Sequence, residues 1–133
     1  MSNEFRGTGN VGDQPRLKAV LVGNDERQVA ELRVFFDEYR QDGSGGVESA
    51  GGFWLDVNVW GDRHAAEVAN LVKRGARVHV IGKLVESKWI VTATKEERRA
   101  LYLNADHLFL SLTRMAEVRF KPRREAADGE ACE

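Results

Sequence analysis

Trp54 and Trp60 stand six residues apart in the stretch Phe53 to Trp60, whose alternate members Phe53, Leu55, Val57 and Val59 are apolar. A strand sends successive side chains to opposite faces, so Trp54, Asp56, Asn58 and Trp60 share the other, otherwise polar, face. Indole rings left on a polar face have two physical uses. They stack on unpaired nucleobases, at roughly 1–3 kcal/mol per base and with little sequence preference, or they pack in a subunit interface or beneath a long loop. Trp89, beside Lys88 in another strand-like stretch, poses the same alternatives, as do Tyr39 and Phe35 on the outward face of a further alternating run. Lys18, Arg33, Arg40, Lys73, Arg74, Lys88, Arg98 and Arg99 are the cations that would track a phosphate backbone beside these rings.

Other chemistries find little support in the residue spacing. Gly7-Thr8-Gly9-Asn10-Val11-Gly12 fits G-x-G-x-x-G. Dinucleotide binding by that motif needs a helix opening at its end, whereas Asp13-Gln14-Pro15 and a β-type run follow here, so a glycine-rich turn is the better account. His64, His79 and His107 lie far apart, with no cysteine near them to complete a metal site, and no cofactor is implied. No Ser-His-Asp or Cys-His set is evident and no carboxylate pair is spaced for acid–base work, so an enzyme is the weaker class and no catalytic residue is assigned. The 20 Lys and Arg against 21 Asp and Glu leave a net charge of −1. Nucleic-acid binding therefore has to come from charge on one face rather than from the total.

The elements that must position these residues follow from the pattern. Residues 4–23 hold two extended pieces interrupted by glycines and Pro15, the second being Leu17 to Val22. Ala30, Leu32, Val34 and Phe36 alternate with Glu31, Arg33, Phe35 and Asp37, which predicts a strand with one buried side. Gln41 to Gly52, with five glycines, reads as a mobile loop. After the Phe53–Trp60 strand, Asp62 is expected to cap a helix over residues 63–74, with Ala65, Val68, Ala69 and Val72 as its buried stripe and Gly75 at its C′ position. Ala76 to Val91 is strand-like with a bend at Gly82, Thr94 to Arg99 a charged loop, and Ala100 to Thr113 a closing strand. Five strands with one helix between the third and fourth is the order of the all-β oligonucleotide/oligosaccharide-binding (OB) barrel. This places one OB domain over residues 1–113 and a flexible charged tail over 114–133. The single cysteine, Cys132, fits a reducing compartment, no apolar run approaches membrane-spanning length, and no secretory signal opens the chain, so a cytoplasmic protein is expected.

Taken as a set, several stretches resemble the bacterial single-stranded DNA-binding protein family. Gly9-Asn10-Val11-Gly12 through Arg16-Leu17 is similar to its early Gly-Asn-Leu-Gly segment. Phe53-Trp54 through Trp60-Gly61, Ala66-Glu67-Val68-Ala69 and Lys73-Arg74-Gly75 resemble its Trp, Phe-Gly, Ala-Glu-x-Ala and Arg-Lys-Gly series. Val80-x-Gly82-x-Leu84 with Ser87-Lys88-Trp89, and Ala105-Asp106, complete a match over about residues 7–112. The resemblance implies an OB fold, usually homotetrameric, that wraps single-stranded DNA without chemistry in replication, recombination, repair or element transfer, associated with the nucleoid. It places base-stacking aromatics on Trp54, Trp60, Trp89 and, by a looser match, Tyr39. Phosphate-contacting cations fall on Lys18, Lys73, Arg74 and Lys88.

The departures from the family pattern have consequences of their own. Its His-Arg after the first stacking Trp is Leu55-Asp56 here, its Lys after Phe-Gly is Asp62, and its Arg-x-Arg is Val85-Glu86-Ser87. Phosphate contacts are thus absent or reversed in sign, which predicts weaker binding and a shallower salt dependence. Leu55 stands where the family's His helps to form subunit contacts, so a dimer is weighed beside the tetramer. The acidic stretch Glu125 to Glu133 lacks the family's partner-recruiting tip. The alternative reading is an SSB-like primosomal or protein-interaction OB subunit with weak DNA affinity, working with replication or conjugation proteins.

Overall fold

The computed structural model describes residues 3–122. Along the chain come β1 (Asn3–Val11), β2 (Arg16–Val22), β3 (Asp25–Gln41), β4 (Val47–Trp60), α1 (Asp62–Leu71), β5 (Arg77–Ile90) and β6 (Glu97–Leu110). Period-two alternation decides what lies inside. Ala30, Leu32, Val34 and Phe36 of β3, Leu55, Val57 and Val59 of β4, Val78 and Val80 of β5 and Leu103 of β6 all point inward. With Val11 of β1 and with Ala65, Val68 and Val72 from the α1 region they make one core.

Five of the strands close on themselves. β1 pairs antiparallel with β5, β5 antiparallel with β6, β6 parallel with β4, and β4 antiparallel with β3. β3 returns to β1 through Gly9–Val11 opposite Phe36–Val34. β2 then continues along the same side of β3, Arg16–Val22 lying opposite Glu31–Asp25. β1 and β2 are thus two halves of one strand broken at residues 12–15, and α1 falls between the third and fourth strands of the ring, as the OB order requires.

Three local expectations are corrected. The stretch 41–52 is not a mobile loop: β3 and β4 pair to its tip and only residues 42–46 turn. Asp42 ties that turn, its carboxylate accepting from Ser44 N and Oγ (both 2.9 Å) and Gly46 N (2.8 Å). The Ser44 hydroxyl and then the two amides hold this acid below the usual carboxylate range. Gly51 and Gly52, both at positive φ, instead pair with Glu38 and Asp37 just beyond the bulge at Ala50 that shifts the β3–β4 register. Likewise Thr94 to Arg99 is not all loop, since the β5–β6 hairpin turns between Val91 and Glu96 and β6 begins at Glu97.

The helix is the third case. It spans Asp62–Leu71 rather than 63–74, with Gly61 at its N-cap. Asp62 does not cap it, because its Oδ1 accepts from Gln28 N at 3.0 Å and so ties the helix start to β3. Val72 turns into extended backbone and is drawn into the core at 3% exposure, which ends the helix before Gly75. Gly75, at φ 88°, instead donates its N–H to Val11 O at 2.8 Å.

Gly82 marks a true irregularity, the register between β5 and β6 shifting at Ile81/Gly82. A Cβ there would lie 2.2 Å from Asn104 O and 2.8 Å from the Ala105 Cα. Gly82→Ala is therefore expected to lower stability by about 2 kcal/mol, read as a shifted urea midpoint at unchanged m. A variant as stable as the parent would show that the two strands are not so close there.

The G-x-G-x-x-G run lies in β1 and the turn after it, with no helix at its end. Gly9 is small because a Cβ would come within 2.2 Å of Phe35 O. β6 ends at Leu110 and residues 111–122 form neither helix nor strand, while the acidic end, Cys132 included, lies outside the described residues. Among the described residues no helix is long and apolar enough to cross a membrane.

Candidate nucleic-acid interface

The outer surface of β2, β3, β4, β6 and β5 carries the side chains that alternation keeps out of the core. Register puts them in rows. Trp54 lies opposite Phe35, Asp56 opposite Arg33 and Asn58 opposite Glu31. Across the parallel seam, Asp56 and Asn58 face Tyr102 and Asn104 of β6. Ala100 in turn faces Ser87, and Arg98 faces Trp89 on β5.

These rows line an open groove of about 520 Å³, whose walls include Trp60 and Trp89 with Asn58, Tyr102 and Asn104 between them. Trp54, Trp60 and Trp89 are 47%, 40% and 47% exposed, so none is sealed within the protomer. The Trp60 Nε1–H donates to Asn104 Oδ1 at 3.1 Å, which fixes the ring's orientation while leaving a face open to solvent. Trp54 sits next to the groove wall, its ring 5.2 Å from that of Phe35 and 5.5 Å from the Arg33 guanidinium carbon. All three tryptophans therefore share one sheet surface.

The remaining expected positions are distributed less tightly. Tyr39 belongs to a different hollow of about 470 Å³, lined by Asn10, Gly75, Arg77, Thr113 and Arg114. Lys18, on β2 beside the groove, is tied to Glu31 at 3.3 Å. Lys73 and Arg74 are exposed in the segment after α1, next to Val72, whose carbonyl accepts from the groove residue Gln14 at 3.1 Å. Lys88 follows the alternation of β5 onto the face away from Trp89, and the base that register places across from Trp89 is Arg98. Arg98 in turn reaches Glu96 at 3.3 Å.

The groove is close to neutral, with Arg16 and Arg33 set against Asp13, Glu31 and Asp56. Arg33 Nη1 lies 2.8 Å from Asp56 Oδ1. Arg16 is exposed and makes no ion pair among the described residues. Such a surface offers flat π-faces, amide and hydroxyl groups and few uncommitted cations. It suits ligands that stack more than ligands that are only anionic.

Sequence reasoning missed Arg16, Tyr102 and Asn104 as groove residues and did not pair Phe35 with Trp54. The signal that joins them is cross-strand register, above all the parallel β4–β6 pairing, which no local pattern encodes. Of the histidines, His79 and His107 are brought onto neighbouring strands on either side of Phe109, where Thr8 Oγ1 bonds His79 Nδ1 at 2.9 Å and His107 stacks on Phe109. No group of three His, Cys, Asp or Glu side chains among the described residues is arranged to hold a metal ion.

Comparison with known proteins extends this geometry. The model of the single-strand binding protein family matches residues 3–111. A single-stranded DNA-binding protein of Rhizobium meliloti (strain 1021) is 31% identical over 81 residues, which is 61% of this chain and 45% of that protein. The chain thus spans about half the length of the curated relative it matches. Among solved structures, a small single-stranded DNA-binding protein from Streptomyces coelicolor superposes with a TM-score of 0.69 at 16% identity, over 86% of this chain and 98% of that one. A Plasmodium falciparum SSB in complex with ssDNA gives 0.66 at 22% identity, over 84% and 96%. At these identities the two structures speak for the fold.

Proposed function

The chain belongs to the single-strand binding protein family, and from that premise we propose that it binds single-stranded DNA through the groove that Trp60 and Trp89 line, with Trp54 at its edge. The observation that carries this reading is the placement of three half-exposed indoles on one continuous sheet surface, among mostly polar neighbours. Unpaired bases present π-faces to such rings regardless of sequence, whereas stacked bases in a duplex do not. Lys18, Lys73 and Arg74 are secondary contacts beside the groove, and Lys88 and the looser Tyr39 would be reached only by a strand that runs on past it. The protein acts by binding alone, with no chemistry on the nucleic acid, and works in the cytoplasm with DNA exposed by replication, recombination or repair.

Self-association goes with this reading. Among the described residues the β1 edge from Asn3 to Thr8 pairs only with β5, which leaves a row of backbone groups for a second copy. Leu55 does not oppose this, because it packs inside the ring at 6% exposure instead of standing on a subunit surface.

Titration with oligo-dT is expected to quench tryptophan fluorescence, and the affinity is expected to fall only gently between low and moderate salt. Each phosphate contact contributes about 0.7 to the slope of log K against log salt for single strands, and this groove has few free cations to make them. Duplex DNA competing as well as oligo-dT would rule out stacking on free bases as the binding mode.

A further inference from the structure

Trp54 is as exposed as Trp89, but its ring has neighbours that the other two lack. Its ring rests on Gly12, where a Cβ would come within 2.5 Å of the indole, and it leans on Phe35. The Arg33 guanidinium carbon stands 5.5 Å from its centroid. Arg33 does not hold that place alone. Its Nη1 donates to Asp56 Oδ1 at 2.8 Å, and the two residues are direct cross-strand partners. Register therefore fixes the cation, its counter-ion and the ring as one unit.

We propose that Asp56 is a built-in competitor for nucleic-acid phosphate, holding Arg33 over Trp54 so that a strand must displace this carboxylate to gain both the cation and the ring. The proposal rests on the single-strand reading and adds a regulator to that same site. Its chemistry is one of matched acceptors. A carboxylate and a phosphate both offer anionic oxygens to the same guanidinium, so they compete for it. The pair is exposed, at 47% for Arg33 and 63% for Asp56, which keeps it weak enough for a strand to break. Once broken, it leaves an uncompensated carboxylate beside the bound phosphate.

Asp56→Asn keeps the side chain's size and removes its charge. It is expected to raise affinity for oligo-dT about three- to tenfold at low salt and to steepen the salt slope by about 0.7, the value of one added phosphate contact. In an Arg33→Ala background the same substitution should give no steepening. Unchanged affinity, a gain with an unchanged slope, or a steepening that survives without Arg33 would each overturn the proposal. The parent protein, titrated alongside, separates the two levels of argument. If neither it nor the variant shows fluorescence quenching with oligo-dT at low salt, the single-strand reading itself fails and takes the competitor with it.

Discussion

Replacing Trp60 and Trp89 together by alanine should lower affinity for oligo-dT by about 2–6 kcal/mol, with either change alone costing about 1–3 kcal/mol. The two rings line one groove from different strands, Trp60 at the end of β4 and Trp89 near the end of β5. Each can therefore stack a base of its own, and their losses should come close to adding. Folding should be little affected, because the rings are 40% and 47% exposed and Trp60 gives up only one hydrogen bond, to Asn104. Thermal unfolding of the variants is the control. Tyr39→Ala should cost less than either tryptophan, since Tyr39 lies in a separate hollow. A double variant that binds like the parent would mean the indoles serve something other than bases.

Much of this site was legible before any coordinates, and the reason lies in period two. Alternation alone put Trp54 and Trp60 on one face and Phe53, Leu55, Val57 and Val59 on the other, and burial agrees for all of the second set but Phe53, which is 43% exposed. The same rule exposes its limit at Lys88. Being next to Trp89 in sequence places it on the opposite face, so the neighbour that matters is Arg98, which only the β5–β6 register supplies. Composition misled at Gln41 to Gly52, where glycines that look like loop residues serve a hairpin turn and the strand beside a bulge. Asp62 shows a third kind of limit. Its type and position suit a helix cap, but a tertiary partner, the Gln28 amide, takes the carboxylate instead. Local chemistry names what a residue is able to do, and long-range pairing chooses among those options.

Arg77→Met is expected to destabilise the fold by about 3 kcal/mol, because of where Arg77 sits in the ring. The β1–β3 seam that closes the five strands is only the three pairs from Gly9 to Val11. Arg77, on β5 and opposite Asn10 of β1, reaches across that seam to Asp37 of β3 with bonds of 2.8 and 3.1 Å, and also to Asn10 Oδ1 at 3.2 Å. The Asp37 side chain is only 6% exposed, so without the guanidinium its charge keeps a single side-chain partner, the Tyr39 hydroxyl at 3.3 Å. Removing one member of a partly buried pair costs more than removing both. Asp37→Leu combined with Arg77→Met should accordingly recover most of the loss. The pH dependence gives a second check. Arg77's hydrogen bonds, more than its charge at a distance, hold the Asp37 carboxyl below its ordinary value. A carboxylate with a depressed folded pKa contributes stability that is fully present above the unfolded value of about 4 and is lost as pH falls through the folded one. The stability gap between parent and Arg77→Met should thus be largest near pH 7 and shrink as pH falls toward and below about pH 4, where a protonated Asp37 no longer needs the cation. A gap that stays flat to pH 2 would mean that Arg77 acts through packing of its stem and not through this ion pair.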